Sequence, residues 1–174
     1  MATRININAD MGEGFGLYDI GDDTAILGIV SSVNVACGFH AGDPGVMRDV
    51  CLRAKALGVS IGAHPGFNDL WGFGRRRIDM NPDDLEYMVA YQIGALKAMA
   101  AYAGVDVTHV KPHGALNNMA AEREDYAMAI GRGIRTVDPT LAYLALAGSA
   151  MERAAVELDL PLCREAFIDR EYTS

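Results

Sequence analysis

Apolar and polar positions along this 174-residue chain switch repeatedly between a period of two and a period near 3.6, the mark of strands alternating with helices. Arg4–Asn8 alternates and predicts a first strand, running into a loop, Ala9–Gly16, that carries Asp10 and Glu13 among three glycines. Asp22 and Asp23 open a short helix over Thr24–Val30. Asn34–Asp43 reads as a buried strand that ends in small residues and His40. It turns straight into a helix capped by Asp43, with Pro44 at the first helical position. Val46, Val50, Ala54 and Leu57 give that helix its apolar face, and Gly58 stops it. A third strand, Val59–Ala63, ends in His64 and Pro65, and a long loop follows from Gly66 to Met80. Asn81–Asp84 starts a helix whose stripe is Leu85, Met88, Val89, Ile93, Leu96 and Ala100. The fourth strand, Val107–Val110, runs into Lys111, Pro112, His113 and Gly114. A helix between Glu122 and Thr136, a strand over Thr140–Leu146, a helix over Gly148–Asp159 and a sixth strand at Leu162–Glu165, leading to Asp169, complete the pattern.

Strands alternating with helices imply a mainly parallel sheet with right-handed crossovers, in one domain over residues 1–174. The chemically capable side chains fall just after strands: Asp10 and Glu13, His40, His64, Lys111 and His113, then Glu165 and Asp169. An open doubly wound sheet gathers its site mostly at one switch point, whereas polar residues after nearly every strand suit a (β/α) barrel. Six strands make a small or incomplete one.

A lone histidine is most often structural. Three in equivalent positions beside two carboxylates point instead to a shared metal or acid–base centre. Imidazole and carboxylate suit Zn²⁺, Mn²⁺ or Fe²⁺, which makes Asp10, His40, His64 and His113 candidate ligands of a divalent metal. General acid–base catalysis without a metal is the competing role. No H-E-x-x-H pair favours the metal by spacing alone. Lys111 suits a substrate carboxylate or phosphoryl group, or a nearby acid. Arg75, Arg76 and Arg77 suit an anion, a protein partner or solvent. Cys37 reads as a small buried filler.

Composition narrows the classes. A net charge of −8 argues against nucleic acid, which needs a basic face. Three scattered cysteines form neither a disulfide framework nor a zinc ribbon and favour the cytoplasm. No apolar stretch is long enough to span a bilayer, and no secretion signal is evident. The glycines at 12, 14 and 16 complete neither a dinucleotide fingerprint nor a P-loop.

Seven stretches in order carry a resemblance: Asn6–Asp10, Gly12–Gly16, Asn34–Pro44, Gly62–Pro65, Gly72–Arg76, Tyr91–Leu96 and Val110–Leu116. They are similar to the LamB/YcsF lactam-utilisation family of 5-oxoprolinase A subunits, over essentially the whole chain. The resemblance implies an irregular (β/α) barrel of the glycoside hydrolase/deacetylase type. It implies ATP-dependent hydrolytic opening of 5-oxo-L-proline to L-glutamate, with ATP as co-substrate and separate B and C subunits as partners. Carried onto matching positions, the catalytic candidates are Asp10, Glu13, His40, His64, Lys111 and His113. Asn8, Asn34, Asp43 and Arg75, in the same motifs, are the substrate-binding candidates. Asn117 stands where the family usually has tyrosine. The chain also ends at Ser174, inside a motif the family continues past, so the barrel is expected to be incomplete at its C-terminus. An unclosed barrel exposes strand edges, which makes a homo-oligomer a further expectation. Two other functions stay open: a stand-alone metal-dependent deacetylase or amidohydrolase acting on a small amide, and a non-catalytic subunit that binds substrate or docks partners.

Overall fold

The computed structural model describes residues 5–168, so the expectations at Arg4 and Asp169 lie outside the described residues. Six parallel strands run β1 (Asn8–Met11), β2 (Ser32–Ala36), β3 (Ser60–His64), β4 (Val107–Val110), β5 (Ala142–Leu146) and β6 (Leu162–Glu165), neighbours in chain order. Between them lie α1 (Asp23–Leu27), α2 (Pro44–Leu57), α3 (Pro82–Ala103), α4 (Gly114–Glu122), α5 (Glu124–Val137) and α6 (Ala150–Glu157). Among the described residues no helix is long and apolar enough to cross a membrane.

The sheet is a half-barrel. Its edge strands would stand about 24 Å apart if flat, at roughly 4.8 Å per strand. Yet the Asn8 amide of β1 donates to Glu165 Oε1 of β6 at 3.0 Å. Only strong curvature brings those side chains together. Helices cover the outer face, where Val33, Val35, Ile61 and Ala63 join Val50, Ala54, Leu85, Val89, Ile93, Leu96, Ile130 and Ile134 in one buried core.

The inner face is polar and built in register. Asp10 pairs with Asn34, Asn34 with Gly62 and Gly62 with His109, so four strands contribute one row. Gly62 is the gap in that row. A Cβ there would enter the space of the His109 ring, which lies across the glycine.

Local chemistry explains the helix ends. Asp43 accepts from the Val46 N–H at 2.9 Å ahead of Pro44, and Gly58 closes α2 in the left-handed region at φ 67°. Asn81 caps α3 by accepting from the Asp83 N–H at 2.9 Å.

Three expectations need correction. The first strand is Asn8–Met11, not Arg4–Asn8. Ile5 and Ile7 are 85% and 54% exposed, so their alternation marks no buried face, and Asp10 sits on the strand itself. Leu57 is 59% exposed, while Met47 and Cys51 are buried with Val50 and Ala54, the i, i+3, i+4, i+7 stripe. Helix α4 was not expected, because its N-cap position, His113, makes no side-chain capping bond. Instead the Ala115 N–H donates to the Gly74 carbonyl at 3.0 Å, so a remote loop supplies the cap.

Candidate functional site

The C-terminal ends of the strands carry the converging side chains. His64 is the last residue of β3. Glu13 follows β1, His40 follows β2, and Lys111 and His113 follow β4. His40, His64 and His113 are buried. The His40 and His113 rings stack at 3.7 Å and 4°, and His64 stands edge-on to both.

Hydrogen bonds fix two tautomers. His64 Nδ1 donates to the Lys111 carbonyl at 2.6 Å, and His113 Nε2 donates to the Phe73 carbonyl at 2.8 Å. Without a further proton each ring turns a lone pair inward, and these two, His64 Nε2 and His113 Nδ1, face each other at 3.0 Å. Glu13 Oε1 lies 3.4 Å from His113 Nδ1 and 3.3 Å from His40 Nε2, and Asp10 Oδ2 lies 3.3 Å from His64 Nε2. Acceptors aimed at one another in a buried space require a proton or a metal cation between them. The donor atoms of Glu13, His40, His64 and His113 all lie within 4.8 Å of one another, a set able to hold a metal ion.

Asp10 stands beside this set, in a second group. Lys111 Nζ donates to Asp10 Oδ1 at 3.0 Å and pairs with Glu165 Oε1 at 3.1 Å. The Asn34 amide donates to Asn8 Oδ1 at 2.7 Å and to Asp10 Oδ1 at 2.9 Å, and Asn34 Oδ1 accepts from His109 Nε2 at 2.9 Å. The two groups meet at His64.

Electrostatics divides the carboxylates. Burial pushes Asp10 upward, but His64 and Lys111, by charge and hydrogen bond, outweigh it and hold Asp10 far below the usual carboxylate range. Burial raises Glu13 against the pull of His64 and His113. Burial, with the charge of His64 added, lowers His40 to about 2 and His113 to about 3. Burial pushes the Cys37 thiol up to about 12, so it fits the filler role, not a nucleophile.

A cleft of about 60 Å³ opens over Asp10, His64, Lys111 and His113, with Arg75, Asn117 and Phe167 among its walls. A larger hollow of about 350 Å³, beside Asp19, Asp22, Asp23, Asp49 and Arg53, includes none of the converging histidines. Asn8, Asn34 and Arg75, expected around substrate, therefore border or support the site. Asp43 does not join them, since its oxygens accept from the Val46 and Gly16 N–H groups. The arginine run splits three ways: Arg75 lines the cleft, Arg76 binds Asp69, and Arg77 reaches Glu122 at the surface.

Sequence reasoning left His109 without a role. The period-two spacing of His109 and Lys111, matching Asn8 and Asp10, is the signal that puts it on the inner face. Asp69 was also passed over, although its bond to the N–H three residues on has the spacing of an N-cap acceptor.

Known proteins resemble this chain in sequence and fold. The LamB/YcsF family model matches residues 5–174. The chain is 53% identical to a 5-oxoprolinase A subunit of Bradyrhizobium diazoefficiens, over 97% of this chain and 66% of that protein. It is 51% identical to the 5-oxoprolinase A subunit of Natranaerobius thermophilus, over 97% of this chain and 65% of that protein. The crystal structure of a lactam utilization protein from Thermus thermophilus superimposes with a TM-score of 0.95 at 44% identity, covering 98% of this chain and 69% of that one. The chain spans about two thirds of the length of the curated relatives it matches.

Proposed function

The chain belongs to the LamB/YcsF family, and from that premise we propose that it acts as the A subunit of a cytoplasmic 5-oxoprolinase, opening 5-oxo-L-proline to L-glutamate at the expense of ATP with separate B and C subunits. The observation that carries this reading is the junction, under one cleft, of a cationic group (Lys111, Arg75) with a proton-holding group (Glu13, His64, His113).

A lactam amide resists water. Transfer of the γ-phosphoryl group of ATP to the ring carbonyl oxygen releases ADP and makes the carbon electrophilic. Water adds to that carbon, the C–N bond breaks with a proton delivered to nitrogen, and a second water releases phosphate from the resulting acyl phosphate. Lys111 and Arg75 neutralise the substrate carboxylate and the phosphoryl charge. The Glu13–His64–His113 group takes the proton of the attacking water and returns it to the departing nitrogen, an effect worth about 10²–10⁴-fold. Asp10, held ionised, is a weak base and serves to orient Lys111 and His64. The four donors Glu13, His40, His64 and His113 also fit a divalent transition cation, which when bound supplies Lewis acidity in place of the shared proton.

His113→Ala and Asp10→Asn, in the complex reconstituted with B and C subunits, are expected to lower 5-oxoproline-dependent phosphate release by about 10²-fold or more. Full activity in either variant overturns the assignment of that residue. The four-donor cluster favours one second reading, a stand-alone metal-dependent amidohydrolase or deacetylase. Turnover of a small amide without ATP or partners, abolished by a chelator, would select it.

A further inference from the structure

The loop between β3 and α3 contains a closed turn built around one carboxylate. Asp69 is buried, and its Oδ1 accepts from the Gly72 N–H at 3.1 Å and from Arg76 Nε at 2.8 Å, with the Arg76 terminal nitrogen on the same oxygen. Oδ2 accepts from the Arg76 N–H at 3.4 Å, and the Asp69 carbonyl accepts from the Gly74 N–H at 3.0 Å. Gly72 leaves the space that the carboxylate and guanidinium occupy. Between these anchors Phe73 adopts φ 54°, a region a bulky residue enters only when its surroundings force it.

That strained residue does two things to the site. Its carbonyl accepts from His113 Nε2, and its ring stands edge-on to His113 and His40 at 5.1 and 5.7 Å. The next residue, Gly74, sits so close to the same histidines that a Cβ on it would lie 2.8 Å from each, and its carbonyl caps α4.

We propose that Asp69 and Arg76 are positioning residues for the site: by clamping the 69–76 turn they hold the Phe73 carbonyl on His113 Nε2 and so keep the His113 Nδ1 lone pair turned toward Glu13 and His64. Neither residue touches the cluster. Their effect passes through one backbone carbonyl, whose bond selects the imidazole tautomer. Arg76 is the outer half of the clamp, 66% exposed, while its partner carboxylate is fully buried. The pair is therefore anchored from inside, and two guanidinium nitrogens converging on one carboxylate oxygen is a geometry lysine lacks.

The consequence for turnover rests on the function proposed above, so the test has two arms. The first uses the chain alone, ¹⁵N-labelled, and reads the protonation pattern of each His113 nitrogen by long-range proton–nitrogen correlation. Wild type is expected to show a protonated Nε2 and a bare Nδ1. Asp69→Asn is expected to show exchange between tautomers, and Arg76→Lys an intermediate state. The second arm measures turnover in the reconstituted complex. There Asp69→Asn should lower kcat by about 10–100-fold with little change in KM. If Asp69→Asn does not fold, Arg76→Gln, which leaves the three backbone N–H bonds to Asp69 in place, is read instead. A His113 tautomer unchanged in the folded variant, with only the melting temperature lowered, overturns the proposal. An altered tautomer with normal turnover supports the clamp and overturns the assignment of His113 to catalysis.

Discussion

Placing a single methyl group on Gly62 is expected to damage the site from below. The Cβ of Gly62→Ala would enter the His109 ring, so the ring has to leave its place across β3. Overpacking of this kind costs about 1–3 kcal/mol. Moving the ring also breaks its 2.9 Å bond to Asn34 Oδ1, and a buried acceptor left unpaired costs about 1–3 kcal/mol more. The sum, about 2–6 kcal/mol, is a large part of a typical stability of about 5–15 kcal/mol. It corresponds to a fall in Tm of roughly 5–20 °C for a chain of this size. Asn34 also donates to Asp10, so the position of Asp10 should loosen together with the fold. The assay is denaturant unfolding of wild type, Gly62→Ala, His109→Ala and the double variant. Removing the ring first should make the added methyl nearly harmless, so the favourable coupling should approach the whole cost of Gly62→Ala, about 2–6 kcal/mol. A methyl that costs as much with the ring absent as with it present would refute the reasoning.

Three further outcomes test separate parts of the structure. Among the described residues the buried Tyr143 hydroxyl has no hydrogen-bond partner, so Tyr143→Phe should be neutral or stabilising by about 1 kcal/mol, and a clear loss of stability by calorimetry would contradict that. The folded-state values of His113 and His109, lowered to about 3 and about 4, lie below the unfolded value of 6.5, so between those limits the unfolded chain binds more protons. Stability should therefore fall as pH drops below about 6.5, with Glu13 opposing it in the carboxylate range, and a Tm that stays flat from pH 7 to 5 would refute this. Zn²⁺ at about 100 times its dissociation constant should add about 2.7 kcal/mol of stability, reversed by EDTA and absent in Glu13→Gln. Equal stabilisation of Glu13→Gln would place the ion elsewhere.

Local signals made much of the fold legible. Asp43 before Pro44 and Asn81 before Pro82 announced α2 and α3, because a cap is a bond between near neighbours. Helix α4 stayed hidden because its acceptor, the Gly74 carbonyl, lies 40 residues before its first turn. The site was legible as a set of residues after strands, which parallel topology carries to one end. Its partition was not. That Glu13 joins the histidines while Asp10 turns to Lys111 depends on how the chain leaves β1 and on how tightly the sheet curls. The same curvature brings Asn8 to Glu165 across 157 positions of sequence, a contact no pattern along the chain announces.

The central claim is that this chain opens the lactam in an ATP-linked complex. Its most direct test is L-glutamate formation from 5-oxo-L-proline by the chain mixed with B and C subunits and ATP, with each component omitted in turn. Glutamate that appears only in the full mixture, and is lost with His113→Ala, is the predicted result. Glutamate formed at the same rate without this chain, or by His113→Ala as fast as by wild type, would contradict it.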